Sequence, residues 1–117
     1  MKKFVAIYLA SPGFKNKWEA LSEQEKQERQ SKGIAAWHAW VNKNKEAIVE
    51  MGSPLGKTKN VSPSGIADVK NNMTAFTIVQ TESHETAAKL FENHPHFTIF
   101  PGESIELMEC MPIPSAL

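Results

Sequence analysis

Lys3-Phe-Val-Ala-Ile-Tyr-Leu-Ala10 is the stretch on which the fold turns. It is rich in β-branched and aromatic residues, is apolar from Phe4 to Ala10, and is stopped by Ser11-Pro12-Gly13, so it reads as a strand. Side chains alternate along a strand, which puts Phe4, Ala6 and Tyr8 on one face and Val5, Ile7 and Leu9 on the other. Both faces are apolar. A sheet covered by helices on one side alternates apolar with polar, so this strand needs a second cover. Lys2 and Lys3 ahead of an apolar run also mimic a signal peptide. The run is at the lower length limit for one, and a Pro-Gly pair follows at once. The expectation is a retained strand in a cytoplasmic chain.

Working outward, Met73 to Gln80 reads as a second clear strand. Its faces are Met73/Ala75/Thr77/Val79 and Thr74/Phe76/Ile78/Gln80, again partly apolar on both sides. A last strand runs from Ser104 to about Met111 and is ended by Pro112 and Pro114. A weak polar strand over Lys57 to Val61 sits in the irregular segment 53–72, which closes with a turn at Asn71-Asn72. Phe14 to Leu21 is expected to be a loop with a turn of helix carrying Trp18. Ser22 and Glu25 fit a capping box, and a helical pattern then continues to Met51, with Gly52 and Pro54 as its stop. One straight helix of that length would span about 43 Å, against a radius of gyration of about 13 Å for a compact domain. A bend near Ser31–Gly33 is therefore expected. The part before it is polar all round; the part after it carries the core stripe Ile34, Trp37, Val41, Ile48 and Met51, with Trp40 beside it. Ser83 caps a second helix through Ala87, Ala88, Leu90 and Phe91, which should end at Asn93 or His94 ahead of Pro95.

The order is β-α-β-β-α-β, the ferredoxin-like split βαβ arrangement of the α+β class: an antiparallel sheet with helices on one face. Residues 1–117 form a single domain. The economical cover for the open sheet face is a second copy of the chain in a two-fold homodimer.

Composition excludes several function classes. The 13 Lys+Arg balance the 13 Asp+Glu, which argues against nucleic acid as a partner. No stretch approaches the roughly 20 apolar residues that span a bilayer, so no membrane role is expected. Cys110 is the only cysteine, which rules out an intramolecular disulfide, and it reads as an inert buried thiol. Walker, Gly-x-Gly-x-x-Gly and Gly-x-Ser-x-Gly patterns are absent, so nucleotide cofactors and the hydrolase elbow have no support. No cofactor and no metal are expected.

Pro54-Leu-Gly-Lys-Thr-Lys59, Ser83-His-Glu-Thr-Ala-Ala88 and His94-Pro-His-Phe97 ahead of Pro101-Gly102 together resemble the YCII-related family. Trp37-x-x-Trp40, Gly52 and the terminal Met111-Pro-Ile-Pro114 fit the same resemblance. It spans nearly the whole chain and implies a dimeric α+β barrel, an α/β barrel completed by two copies. Relatives in that superfamily include small monooxygenases, muconolactone isomerases and dehydrochlorinase-like enzymes. Many relatives place a His shortly after the first strand, paired with a later Asp. Here Ser11 to Lys17 contains no His, and only Asp68 lies near the position of an Asp-Gly-Pro-Phe signature, so the resemblance assigns no catalytic dyad.

The residues themselves offer three candidate acid/base groups. His94 and His96 flank Pro95 and could point the same way; capping a helix end and pairing with backbone is their structural alternative. His38 lies beside Trp37 on the shoulder of the apolar stripe. Trp37 and Trp40 are core mass or a flat wall for a planar ligand. Lys57 and Lys59 could steer an anion, with Asp68 and Asn72 orienting it. Glu106 and Glu109 fall on opposite faces of the last strand and form no carboxylate pair. The reading is a small cofactor-independent enzyme, of isomerase, lyase or monooxygenase type, using His on a small anion, with aromatic anions among the candidates. The alternative is a non-catalytic ligand-binding or assembly module of the same fold.

Overall fold

The computed structural model describes residues 1–11 and 13–114; Pro12, part of the stop read after the first strand, lies outside them. Strand β1 (Lys2–Leu9) is central, with β5 (Met73–Thr81) antiparallel on one side and β6 (Ser104–Glu109) antiparallel on the other. Strand β2 (Ile48–Pro54) pairs with the outer edge of β5, giving the order β2-β5-β1-β6. Helices α2 (Glu23–Lys43) and α3 (His84–Lys89) complete the ferredoxin-like order, with the short helices α1 (Phe14–Glu19) and α4 (Pro95–Thr98) in the connections.

The inner face is what the alternation dictated. Phe4, Ala6, Tyr8 and Val79 are fully buried, and they pack with Ala75 beneath Trp40, Ala87 and Phe91. On the other face Val5, Ile7, Phe76 and Ile78 are only half-buried, and Met108, paired across from Val5, is exposed. The short axis of the molecule is 18 Å, enough for the sheet and one layer of helix about 10 Å thick.

Helix α2 corrects two expectations. It runs unbroken through Ser31–Gly33, because the slab is 55 Å long and a 21-residue helix of about 31 Å fits along it. Gly33 is buried, and a side chain there would overlap the Phe100 ring. The polar first half, Glu23 to Lys32, is held by the Ser22–Glu25 capping box, with Ser22 Oγ accepting from the Glu25 N–H at 3.1 Å. A Glu23–Lys26 ion pair supports the same turn. The helix ends at Lys43 rather than Met51. Asn44 caps it, its Nδ2 donating to the Trp40 carbonyl at 2.9 Å. Ile48 and Met51 match helical spacing, yet Ile48–Pro54 can satisfy its backbone along β5 and becomes the second strand of the sheet. Gly52 is therefore no helix stop. It has φ +76° and lies at a register shift between Glu50 and Ser53.

The polar strand expected over Lys57 to Val61 does form, as β3 (Thr58–Ser62), but outside the main sheet. It pairs only with β4 (Gly65–Val69) in a separate hairpin. Helix α3 ends at Lys89, short of Asn93, and Asn93 itself takes φ 59° to turn the chain into α4. Cys110 is exposed, beyond the end of β6, rather than buried. Among the described residues no helix is long and apolar enough to cross a membrane.

Candidate active site

The site begins with the chain's only tyrosine. Tyr8 ends the inner face of β1, and its fully buried hydroxyl must find partners there. Thr77, inner face of β5, lies 2.8 Å from it. The Thr77 hydroxyl also lies 3.1 Å from the Met51 carbonyl on β2 and donates to it. A carbonyl can only accept, so the Thr77 proton is committed to Met51 and Tyr8 donates to Thr77.

His94 meets Tyr8 from the other side. It is the N-cap of α4, with Pro95 at the first helical position, where a missing N–H costs nothing. His94 Nδ1 accepts from the His96 N–H at 3.0 Å. In the neutral ring the proton is then on Nε2, which faces the Tyr8 oxygen at 3.5 Å. The bonds run in one direction: His94 Nε2–H, Tyr8 O–H, Thr77 O–H, Met51 C=O. Aromatic rings box in the imidazole, Trp37 at 4.6 Å and Trp40 at 4.7 Å between centroids, with Phe91 stacked at 5.8 Å. Burial, with the His96 ring nearby, pushes the His94 pKa down to about 3, and burial pushes Tyr8 up to about 12 against the Thr77 bond. Both are neutral over the physiological range.

The His96 ring lies 5.3 Å from that of Tyr8 but hydrogen-bonds elsewhere. Its Nε2 lies 2.7 Å from the Leu9 carbonyl and donates to it, and Gly102 packs so closely on its ring that an added side-chain carbon would overlap it. Burial lowers its pKa, and bonds to backbone groups of Leu9 and Ser104 work against that.

An open cleft of about 280 Å³ lies beside the buried chain, between α2 and the edge formed by β2 and β5. Its walls are apolar: Ile34 and Trp37 from α2, Met51 and Gly52 from β2, Phe76 from β5, and Phe100. Trp37 is the partition. It lines the cleft, and its ring stands 4.9 Å from Tyr8 as well as against His94. His38, exposed at the rim, is the one titratable side chain on the lining among the described residues.

The structure thus brings His38 and Trp37 together on the cleft and puts His94 behind Trp37. Trp40 is core: its indole N–H donates to the Leu90 carbonyl at 2.8 Å. Lys57, Lys59 and Asp68 line a different depression at the base of the hairpin. Lys59 is ion-paired with Asp68 at 2.6 Å, which offsets one of the two charges read as steering an anion. Asn72 contributes its backbone carbonyl to Ala10, while the side chain at work in that turn is Asn71, which accepts from the Met73 N–H. Glu106 and Glu109 do lie on opposite faces, paired across from Ile7 and Phe4. Tyr8, Thr77 and Met51 were missed as site residues. A lone tyrosine on an inner β1 face whose other members, Phe4 and Ala6, carry no polar side-chain atom was the available signal, since its hydroxyl had to be satisfied inside. Among the described residues no three His, Cys, Asp or Glu side chains gather as a metal site would require.

The fold defines an α+β protein of ferredoxin-like architecture. No family model matches the sequence and no curated protein does. Among solved structures it is similar to 5-chloro-2-hydroxyhydroquinone dehydrochlorinase from Burkholderia phenoliruptrix, in complex with 2,5-dihydroxybenzoquinone. The TM-score is 0.53 at 18% identity, over 91% of this chain and 90% of that one. At that identity the likeness is one of fold.

Proposed function

We propose that this protein is a small cofactor-independent enzyme of YCII-related type that acts on a planar molecule of about one ring, with His38 taking and returning a proton. The observation that carries this reading is the cleft: apolar and aromatic walls around a single imidazole at the rim. Such walls suit a flat ring, and an imidazole can both take and give a proton. Its fold neighbour, solved with a benzoquinone bound, supports the choice of ligand class. The buried His94–Tyr8–Thr77 chain holds the Trp37 wall and the Met51 carbonyl in place; fully bonded within the protein, it is not the proton shuttle.

Titrating the chain with 2,5-dihydroxybenzoquinone and hydroxylated relatives should quench tryptophan fluorescence saturably, Trp37 being in the cleft. In a screen for turnover of such compounds, His38→Gln should lower kcat at least tenfold while leaving the quenching curve near wild type. Absence of saturable quenching across the panel would sink the reading. Quenching without turnover in wild type would favour a binding module, which the satisfied bonding of His94 and His96 also suits.

The half-buried outer face of Val5, Ile7, Phe76 and Ile78 supports a two-fold dimer that closes the barrel through this face. Equilibrium sedimentation at micromolar concentration should give twice 13.0 kDa; a stable single chain would remove the barrel.

A further inference from the structure

We infer that Phe100, seated on Gly33, determines the size of molecule the cleft takes and limits it to a single ring, an inference that rests on the cleft being the ligand site. At about 280 Å³ the cleft is smaller than most ligand pockets, which hold about 300–1,000 Å³. Moving one wall by the width of a ring therefore changes what fits.

Phe100 is that wall. Helix α2 and strands β2 and β5 supply the sides, whereas Phe100 enters from the connection between α4 and β6. Its ring lies against the Gly33 backbone, where an added side-chain carbon would overlap it. Gly33 is buried although Lys32 and Ile34 beside it are exposed. A glycine inside a helix costs stability against alanine, and here the missing side chain makes room for the ring. Gly33 and Trp37 are four residues apart, so they share a side of α2, about 6 Å apart along its axis. One six-membered ring lying along α2 fills that interval between Phe100 and Trp37. A fused second ring would run into Phe100.

The wall is fixed in place. The Phe100 N–H donates to the Pro95 carbonyl at 3.0 Å, the Gly102 N–H to the His96 carbonyl at 2.9 Å, and the Glu103 N–H to the Leu9 carbonyl at 3.0 Å. The His96 ring, packed on Gly102 and bonded to Leu9, ties the same connection to β1. Trp18 of α1 stands 6.3 Å from the Phe100 ring.

Tryptophan quenching of the full chain by 2,5-dihydroxybenzoquinone and by the fused-ring 2-hydroxy-1,4-naphthoquinone tests this. The readout is the ratio of the two Kd values, in which any general weakening of the cleft cancels. From wild type to Phe100→Ala the ratio should shift at least tenfold in favour of the naphthoquinone, with Phe100→Leu between them; circular dichroism checks that both variants fold. Gly33→Ala tests the seat. Its effect on Tm should be at least about 3 °C more favourable in the Phe100→Ala background than beside Phe100, because only there does the methyl meet no ring. A Kd ratio within twofold of wild type in both Phe100 variants, or equal Tm shifts from Gly33→Ala in the two backgrounds, would overturn the inference and leave the cleft standing as the ligand site. No saturable quenching of the wild type by either quinone would overturn both.

Discussion

Acidification from pH 6.5 to 4 is expected to cost the native state about 3 kcal/mol through His94 alone, at about 1.4 kcal/mol per pH unit. The sign follows from where the proton binds. In the unfolded chain His94 titrates near 6.5, while in the fold burial holds it down to about 3. Between those values only the unfolded state takes up the proton, so stability is complete above 6.5 and is lost as pH falls toward 3. His96, also shifted down by burial, adds in the same direction. Small domains hold about 5–15 kcal/mol in total, so this loss brings unfolding within reach of mild acid. Urea unfolding at intervals between pH 7 and 4 measures the slope. His94→Asn keeps an N-cap acceptor for the His96 N–H and removes the titrating ring, so its slope should be shallower whatever its absolute stability. An unchanged slope in that variant would show that His94 is not the group that senses acid.

Gly52→Ala should be among the most damaging single-methyl changes in the chain. At φ +76° an L-residue is strained, and the added carbon would fall on the Phe76 carbonyl oxygen of β5. Backbone cannot step aside as a side-chain tip can. We expect a loss of about 3 kcal/mol and a fall in Tm of roughly 10 °C. Gly52 also lines the cleft, so quenching by 2,5-dihydroxybenzoquinone should weaken with it. Gly56, four residues on, faces open space, and Gly56→Ala should stay within about 0.5 kcal/mol of wild type. Equal Tm values for the two variants would contradict the positive φ and the close Phe76 carbonyl as the reason for Gly52.

Local sequence carried a large part of the architecture. The alternation of Phe4, Ala6 and Tyr8 against Val5, Ile7 and Leu9 gave β1 its two faces and left the outer one in need of cover; its central place in the sheet came from the structure. The Ser22–Glu25 box started α2 where the capping bonds now stand, and Ser83 started α3, its Oγ accepting from the Thr86 N–H. The candidate site was less legible. His38 and Trp37 were chosen from their place on a helical stripe, and they do share the cleft. His94 and His96 were paired because Pro95 joins them, but their rings bond to different partners, His94 toward Tyr8 and His96 to Leu9.

Strand faces and helix starts were determined by the sequence alone, because each depends on side-chain alternation or on bonds spanning three or four residues; the second strand of the β-α-β-β-α-β order was read over Lys57 to Val61 and is Ile48–Pro54 instead. The end of α2, the strand made from Ile48–Pro54, the detached hairpin and the chain from His94 to Met51 were decided only by tertiary structure. Ile48 and Met51 suit a helical stripe as well as a strand, and the free edge of β5 settled the matter by offering backbone partners. Tyr8 and His94 are 86 residues apart, and no local pattern could say that one buried hydroxyl and one buried imidazole would be left facing each other.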